Sequence, residues 1–123
     1  MVYVDGFVFV LKKSKISKYK KMAADAGKIW KKFGALQYIE TVGDDMHPDT
    51  HGMKSSNFPK MAKAKSGEKV FFSFITYKNK AHRDAVNKMV MDYFAKKYGD
   101  KPMDMPFDMK RFAYGGFRSI VDF

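Results

Sequence analysis

VYVDGFVFVLKK, residues 2–13, decides how this chain folds. A strand with one face in water alternates apolar and polar residues. Here Tyr3, Phe7, Phe9 and Leu11 fill one set of alternate positions, and Val2, Val4, Val8 and Val10 fill the other. Both faces of the strand must therefore be covered. Asp5 is the exception: it shares a face with Tyr3, Phe7 and Phe9. KVFFSFITY, residues 69–77, is a second strand that is apolar on both sides.

Between and around these two strands the pattern changes period. Ser14 is a natural N-cap, and after it Ile16, Tyr19, Met22, Ala23, Ala26, Trp30 and Phe33 recur at helical spacing, with lysines on the opposite arc. Gly34 suits the left-handed position that ends a helix. ALQYIETV, residues 35–42, reads as a strand and runs into a long polar loop, some of whose residues 53–65 return as extended chain beside the sheet. Asn79 caps a second helix with an inner stripe of His82, Ala85, Val86, Met89, Val90 and Tyr93, placing Arg83, Asp84, Asn87 and Lys97 on its rim or outer side. GDKPMDMPFD breaks that helix at Pro102 and Pro106. KRFAYGGFRSIV, residues 110–121, is the last strand, with Gly115-Gly116 marking a bulge or a close backbone approach.

The order β-α-β-β-α-β is the split βαβ unit of an α+β, ferredoxin-like subunit: one antiparallel sheet with two helices on one face. The chain of 123 residues is one domain, 1–123. Helices cover one face of each central strand. The other face, assigned here to Tyr3, Asp5, Phe7 and Phe9, exceeds the apolar patch usual on a monomer and calls for a second copy of the same sheet. The expected partner is thus a homodimer, its two sheets closing a dimeric α/β barrel.

Composition narrows the rest. The chain has no cysteine, which excludes disulfides, thiolate metal sites and thiol nucleophiles. No apolar run reaches the roughly 18–20 residues that span a bilayer, so no membrane partner is expected. The start of the chain lacks the basic and small-residue flanks of a signal peptide, and a cytoplasmic protein is expected. The formal charge is +11, and residues 1–34 carry nine lysines against only Asp5 and Asp25. The aromatics of the first helix lie on the opposite arc from those lysines, so a solvated face explains the charge better than specific nucleic-acid binding. Weak RNA association through this face is the alternative, and it would fade with salt.

Five positions or groups carry candidate chemistry. Asp5, a buried carboxylate, needs a partner, and Arg111 or Arg118 of the neighbouring last strand are the candidates. In a pocket it would serve as anchor or general base. His82 lies inward in the first turn of the second helix, as a core histidine or an acid/base group. Arg83-Asp84 beside it reads as a rim ion pair. Asp44, Asp45, His47, Asp49 and His51 alternate like metal ligands, but no metal motif frames them and a turn-rich loop is expected instead. Asp108, Lys110, Arg111 and Tyr114 bring charge and a phenol to one end of the sheet, Arg111 and Tyr114 as substrate-orienting groups. No serine elbow, phosphate-cradling glycine loop or dinucleotide fingerprint occurs, so no cofactor and no metal is expected.

VYVDGFV (2–8), YIETVGDD (38–45), TYKNKAHRDAVNKMVMD (76–92) and MPFDMKRFAYGGF (105–117) together resemble the YbaA-like family of small bacterial proteins, a domain of unknown function. The resemblance implies a dimeric α/β barrel. It also implies kinship with a superfamily of cofactor-independent monooxygenases, small isomerases and haem-degrading enzymes. The loop MHPDTHGMKSSNF (46–58) is richer in histidine than the family pattern, so no role for His47 or His51 carries over. The functional expectation is a dimer that binds, and as an enzyme would convert, a small organic molecule in an aromatic-lined cavity. Asp5, His82, Arg111 and Tyr114 are its candidate catalytic residues, and any such activity would be monooxygenase- or isomerase-like by analogy alone. The alternative from another class is a non-catalytic structural or interaction homodimer with a filled interior.

Overall fold

The period-2 and period-3.6 segments fold as a mixed α+β domain. The computed structural model describes every residue except Asp100, Pro102 and Met103. In chain order it holds β1 (Tyr3–Lys12), α1 (Ile16–Lys32), β2 (Gln37–Val42), a one-turn α2 (Phe58–Met61), β3 (Glu68–Tyr77), α3 (Lys80–Tyr98) and β4 (Ala113–Arg118). The strands form one antiparallel sheet in the order β2-β3-β1-β4, so the two strands that are apolar on both sides are the central pair. Among the described residues no helix is long and apolar enough to cross a membrane.

Both long helices lie on one face of this sheet. Tyr19 and Ala23 of α1 pack on Phe9, Leu11 and Phe71, while Val86 and Val90 of α3 pack on Ile75 and Tyr77. Fully burying a side chain such as Phe9 or Leu11 is worth about 1.5–3 kcal/mol, so these contacts dominate cohesion. The buried stripe of α1 is the one its spacing predicts, and its lysines are exposed. Gly27 belongs to that stripe because any Cβ there would lie 2.7 Å from the Tyr38 ring.

The face assignment of β1 is reversed. Tyr3, Asp5, Phe7 and Phe9 point to the helices, and Val4, Gly6 and Val8 point away from them. The large side chains of this set are what the helices pack on: Phe9 and Leu11 meet Tyr19 and Ala23 of α1, and Tyr3 and Phe7 border the cluster of Val86 and Val90 of α3. A strand apolar on both sides does not itself say which side meets the helices.

Other boundaries differ for local reasons. Ser14 lies in a 3-10 turn, Lys13–Lys15, and does not cap α1, which starts without a side-chain cap. Asn79 does cap α3, accepting from His82 N at 2.8 Å. The inner stripe of α3 is rotated: Val86 and Val90 are buried, Ala85 and Met89 are exposed, and Arg83 and Asn87 face the sheet instead of the rim, although Arg83 keeps the expected ion pair with Asp84 at 3.4 Å. Gly34 and Gly99 take positive φ just beyond α1 and α3. The predicted break at Pro102 lies outside the described residues. β4 stops at Arg118, leaving Ile120 and Val121 exposed, and Gly115-Gly116 pair regularly with Gly6 and Asp5 without a bulge.

The face away from the helices is only half covered. Within residues 53–65 only the turn of α2, Phe58–Met61, is regular, capped by an extended Asn57, and among the described residues none of this segment pairs with the sheet as a strand. From this segment Ala62 and Ala64 join Met46 against Val8, Val10 and Val70. Val4, Gly6, Phe72, Phe74 and Phe117 stay uncovered, with Phe72 46% and Phe117 62% exposed.

Candidate functional site

Between α1, α3 and the sheet lies a cavity of about 260 Å³. Phe7, Phe9 and Ile75 form its floor, Ala23, Ala26 and Trp30 one wall, and Phe94 another. Phe107 and Phe112, from the segment that leads into β4, close one end, stacked on each other with centroids 4.7 Å apart. Met91 and Met105, both exposed, rim the opening. Where α1 borders this space it presents small side chains, Ala23 and Ala26.

Two polar clusters flank it. In the first, the Glu40 carboxylate accepts hydrogen bonds from the hydroxyls of Tyr19 and Tyr38, each at 2.9 Å, and from Ser73. Strand alternation brings this about: Tyr38 and Glu40 share the helix-facing side of β2, and Glu40 pairs across the ladder with Ser73. Burial, reinforced by the neighbouring Glu40 charge, pushes both phenols well above the ordinary tyrosine range, so they stay protonated donors.

Asp5 organises the second cluster, 1% exposed in the middle of β1. Its Oδ2 accepts from Asn87 Nδ2 at 3.3 Å, and Asn87 Oδ1 in turn accepts from Tyr77 OH at 3.0 Å and Trp30 Nε1 at 3.1 Å. Arg83, one helical turn before Asn87, sets its Nε 3.5 Å from Asp5 Oδ1 and donates from Nη2 to Tyr3 OH at 3.0 Å. The Tyr3 hydroxyl, more than the Asp5 charge, holds the Arg83 guanidinium above its usual pKa. Burial, then Asp5, raises the Tyr77 and Tyr114 phenols. Gly116 makes the arrangement possible: a Cβ there would collide with Tyr3 OH and lie 2.8 Å from Arg83 Nη2.

The four residues singled out for chemistry do not converge. Asp5 is buried as expected, but its partners are Arg83 and Asn87, not Arg111 or Arg118. Tyr114 reaches the same cluster, its hydroxyl 3.4 Å from Arg83 Nη1. His82 accepts the Lys78 N–H at Nδ1 (3.0 Å) and meets the Tyr77 ring edge-on, closing the turn from β3 into α3. Arg111 is engaged bidentately by Glu68 at 2.6 and 2.8 Å and by Asp108 at 3.0 Å. Glu68 begins β3, seven residues from the Ile75 that faces Asp5, or roughly 23 Å along the strand. None of the four lines the cavity. Among the described residues no three His, Asp or Glu side chains group as metal ligands, and Asp49 instead accepts from the backbone N–H of His51 at 2.8 Å.

Sequence reasoning missed Glu40, Asn87 and Trp30. The signal for Glu40 was its shared parity with Tyr38 on a half-buried strand. For Asn87 it was the four-residue spacing from Arg83, which puts both on one helix face.

Comparison with known proteins agrees with this chain along its length. Residues 2–109 match the family described as "Protein of unknown function (DUF1428)". The chain is 45% identical over 123 residues to the uncharacterized protein YbaA of Escherichia coli (strain K12), covering 99% of each. The same figures hold for the YbaA of Shigella flexneri. A solved structure, the de novo designed protein Foldit4, aligns over 97% of this chain and 99% of its own at 8% identity with a TM-score of 0.45, a likeness from which nothing follows. With a family match spanning nearly all its residues and relatives sharing almost half of them, the chain belongs to the DUF1428 family, that of the YbaA proteins.

Proposed function

We propose that the protein binds a small organic molecule in the cavity between α1, α3 and the sheet. The observation that carries this is the cavity itself, an almost wholly apolar space lined by aromatic rings. Its volume suits a ligand of one or two rings. Trp30 is the only tryptophan in the chain and lines the cavity, so its indole N–H gives a single reporter signal in a proton–nitrogen correlation spectrum. Titration with ethylbenzene should move that signal saturably. A signal unchanged at the solubility limit would end this reading.

The reading extends to a homodimer joined through the uncovered sheet face. Val4, Val8, Phe72, Phe74 and Phe117 make a contiguous apolar surface, which a second copy of the same surface would bury around a two-fold axis. The strand order supports a ferredoxin-like subunit, and two such sheets face to face would form the dimeric barrel. Sedimentation equilibrium should give twice the monomer mass, falling to the monomer in Phe117→Asp. A wild-type monomer at micromolar concentration would overturn the dimer and leave the cavity reading untouched.

A further inference from the structure

The polar ends of the cavity-lining side chains are all turned outward. Four lining residues, Tyr19, Trp30, Tyr38 and Ser73, carry a hydrogen-bond donor. Each donor is spent on an acceptor that does not itself line the cavity. Tyr19, Tyr38 and Ser73 donate to Glu40, and Trp30 donates to Asn87. Among the described residues no arginine, lysine or histidine lines the cavity. What remains toward the space is ring face, methyl and thioether.

We infer that the ligand is an uncharged, hydrocarbon-like molecule of one or two rings, recognised by shape and ring contact. Glu40 and Asn87 enforce the choice by tying off every side-chain donor of the wall among the described residues. The inference rests on the cavity reading above and adds the ligand's chemical class. A carbonyl or carboxylate entering this space would leave its water partners and find no donor in exchange. An apolar molecule leaves nothing behind, and apolar cavities lined in this way accept simple aromatics. Specificity here is rejection: the site discriminates against polar analogues by offering them nothing.

Glu40 is the residue through which this can be tested. A glutamine at this position accepts through its amide oxygen but donates through its amide nitrogen. It cannot absorb three hydroxyl donors as the carboxylate does, so one hydroxyl proton is released. The variant wall then owns a donor that the parent wall lacks.

The experiment compares three probes of similar shape, ethylbenzene, acetophenone and phenylacetate, on the full chain and on Glu40→Gln, read by the Trp30 indole signal. Thermal melting confirms that the variant is folded. In the parent, acetophenone and phenylacetate should bind at least about tenfold more weakly than ethylbenzene. In Glu40→Gln the gap between acetophenone and ethylbenzene should narrow severalfold. Equal binding of all three by the parent overturns the ligand class while leaving the cavity reading intact. Failure of all three to move the signal overturns both. An unchanged gap in a folded Glu40→Gln overturns the role given to Glu40.

Discussion

Asp5 Oδ1 and Arg83 Nε face each other at 3.5 Å, both buried and neither making a hydrogen bond. Arg83 Nε also lies 3.4 Å from the half-exposed Asp84 carboxylate, so Asp84 shares the guanidinium charge while Asp5, with no water to turn to, depends on it. Removing one member of such a pair strands the other charge, at a cost of about 3 kcal/mol. Arg83→Gln should therefore lower unfolding free energy by about that much in urea titrations. Asp5→Asn with Arg83→Gln together should cost clearly less than the two single losses added. Strict additivity would show the pair to be uncoupled.

Gly116 stands across the ladder from Asp5, where a Cβ would strike the Tyr3 hydroxyl and the Arg83 guanidinium. Gly115 next to it has only ordinary contacts, 3.7 Å from the Phe117 ring. Gly116→Ala should cost about 1–3 kcal/mol, the range of overpacking, and Gly115→Ala much less. Equal losses would mean that strand entropy, not the close approach, explains the glycines.

Arg111 clamps the start of β3 to the segment leading into β4 through Glu68, and its hydrogen bonds, helped by the Lys65 backbone N–H, lower the Glu68 pKa from 4.5 to about 2. A carboxylate lowered on folding adds stability that is complete above its unfolded value and lost as protons bind. Melting temperature should thus fall as pH drops from 4.5 toward 2. In Glu68→Gln the fall over that window should be shallower, from a lower starting point at pH 7. Parallel acid profiles for the two proteins would remove Glu68 from the account.

Ala26 lines the cavity from α1. Leucine has nearly the same helix propensity and would fill part of the space. Ala26→Leu should abolish the response of the Trp30 indole signal to ethylbenzene while leaving the melting temperature unchanged or raised. Retained binding would place the ligand elsewhere.

α1 was legible because its stripe of Tyr19, Ala23 and Trp30 and its lysine arc are local properties of one helix, and β1 and β3 were legible because their apolar runs are unmistakable. The stripe of α3 was misread by about one residue. Arg83 and Asn87 look like surface residues until Asp5, more than seventy positions earlier, is placed beneath them. An aromatic-lined cavity was expected between the facing sheets of two subunits; the one described lies within a single subunit, its walls coming from segments that no local pattern brings together.

Residue order by itself determined the succession of strands and helices, the cap at Asn79, the burial of Asp5 and the surplus of apolar sheet surface. Only the tertiary structure decided which side of β1 meets the helices, which residues answer Asp5, and where Glu40 and Trp30 turn their polar atoms. Periodicity reports how residues repeat along one element, and a strand apolar on both sides repeats identically whichever way it faces. The direction shows only in contacts between distant segments, Phe9 on Tyr19 of α1 and Tyr3 and Phe7 beside the cluster of Val86 and Val90 of α3, which exist only once the chain has folded.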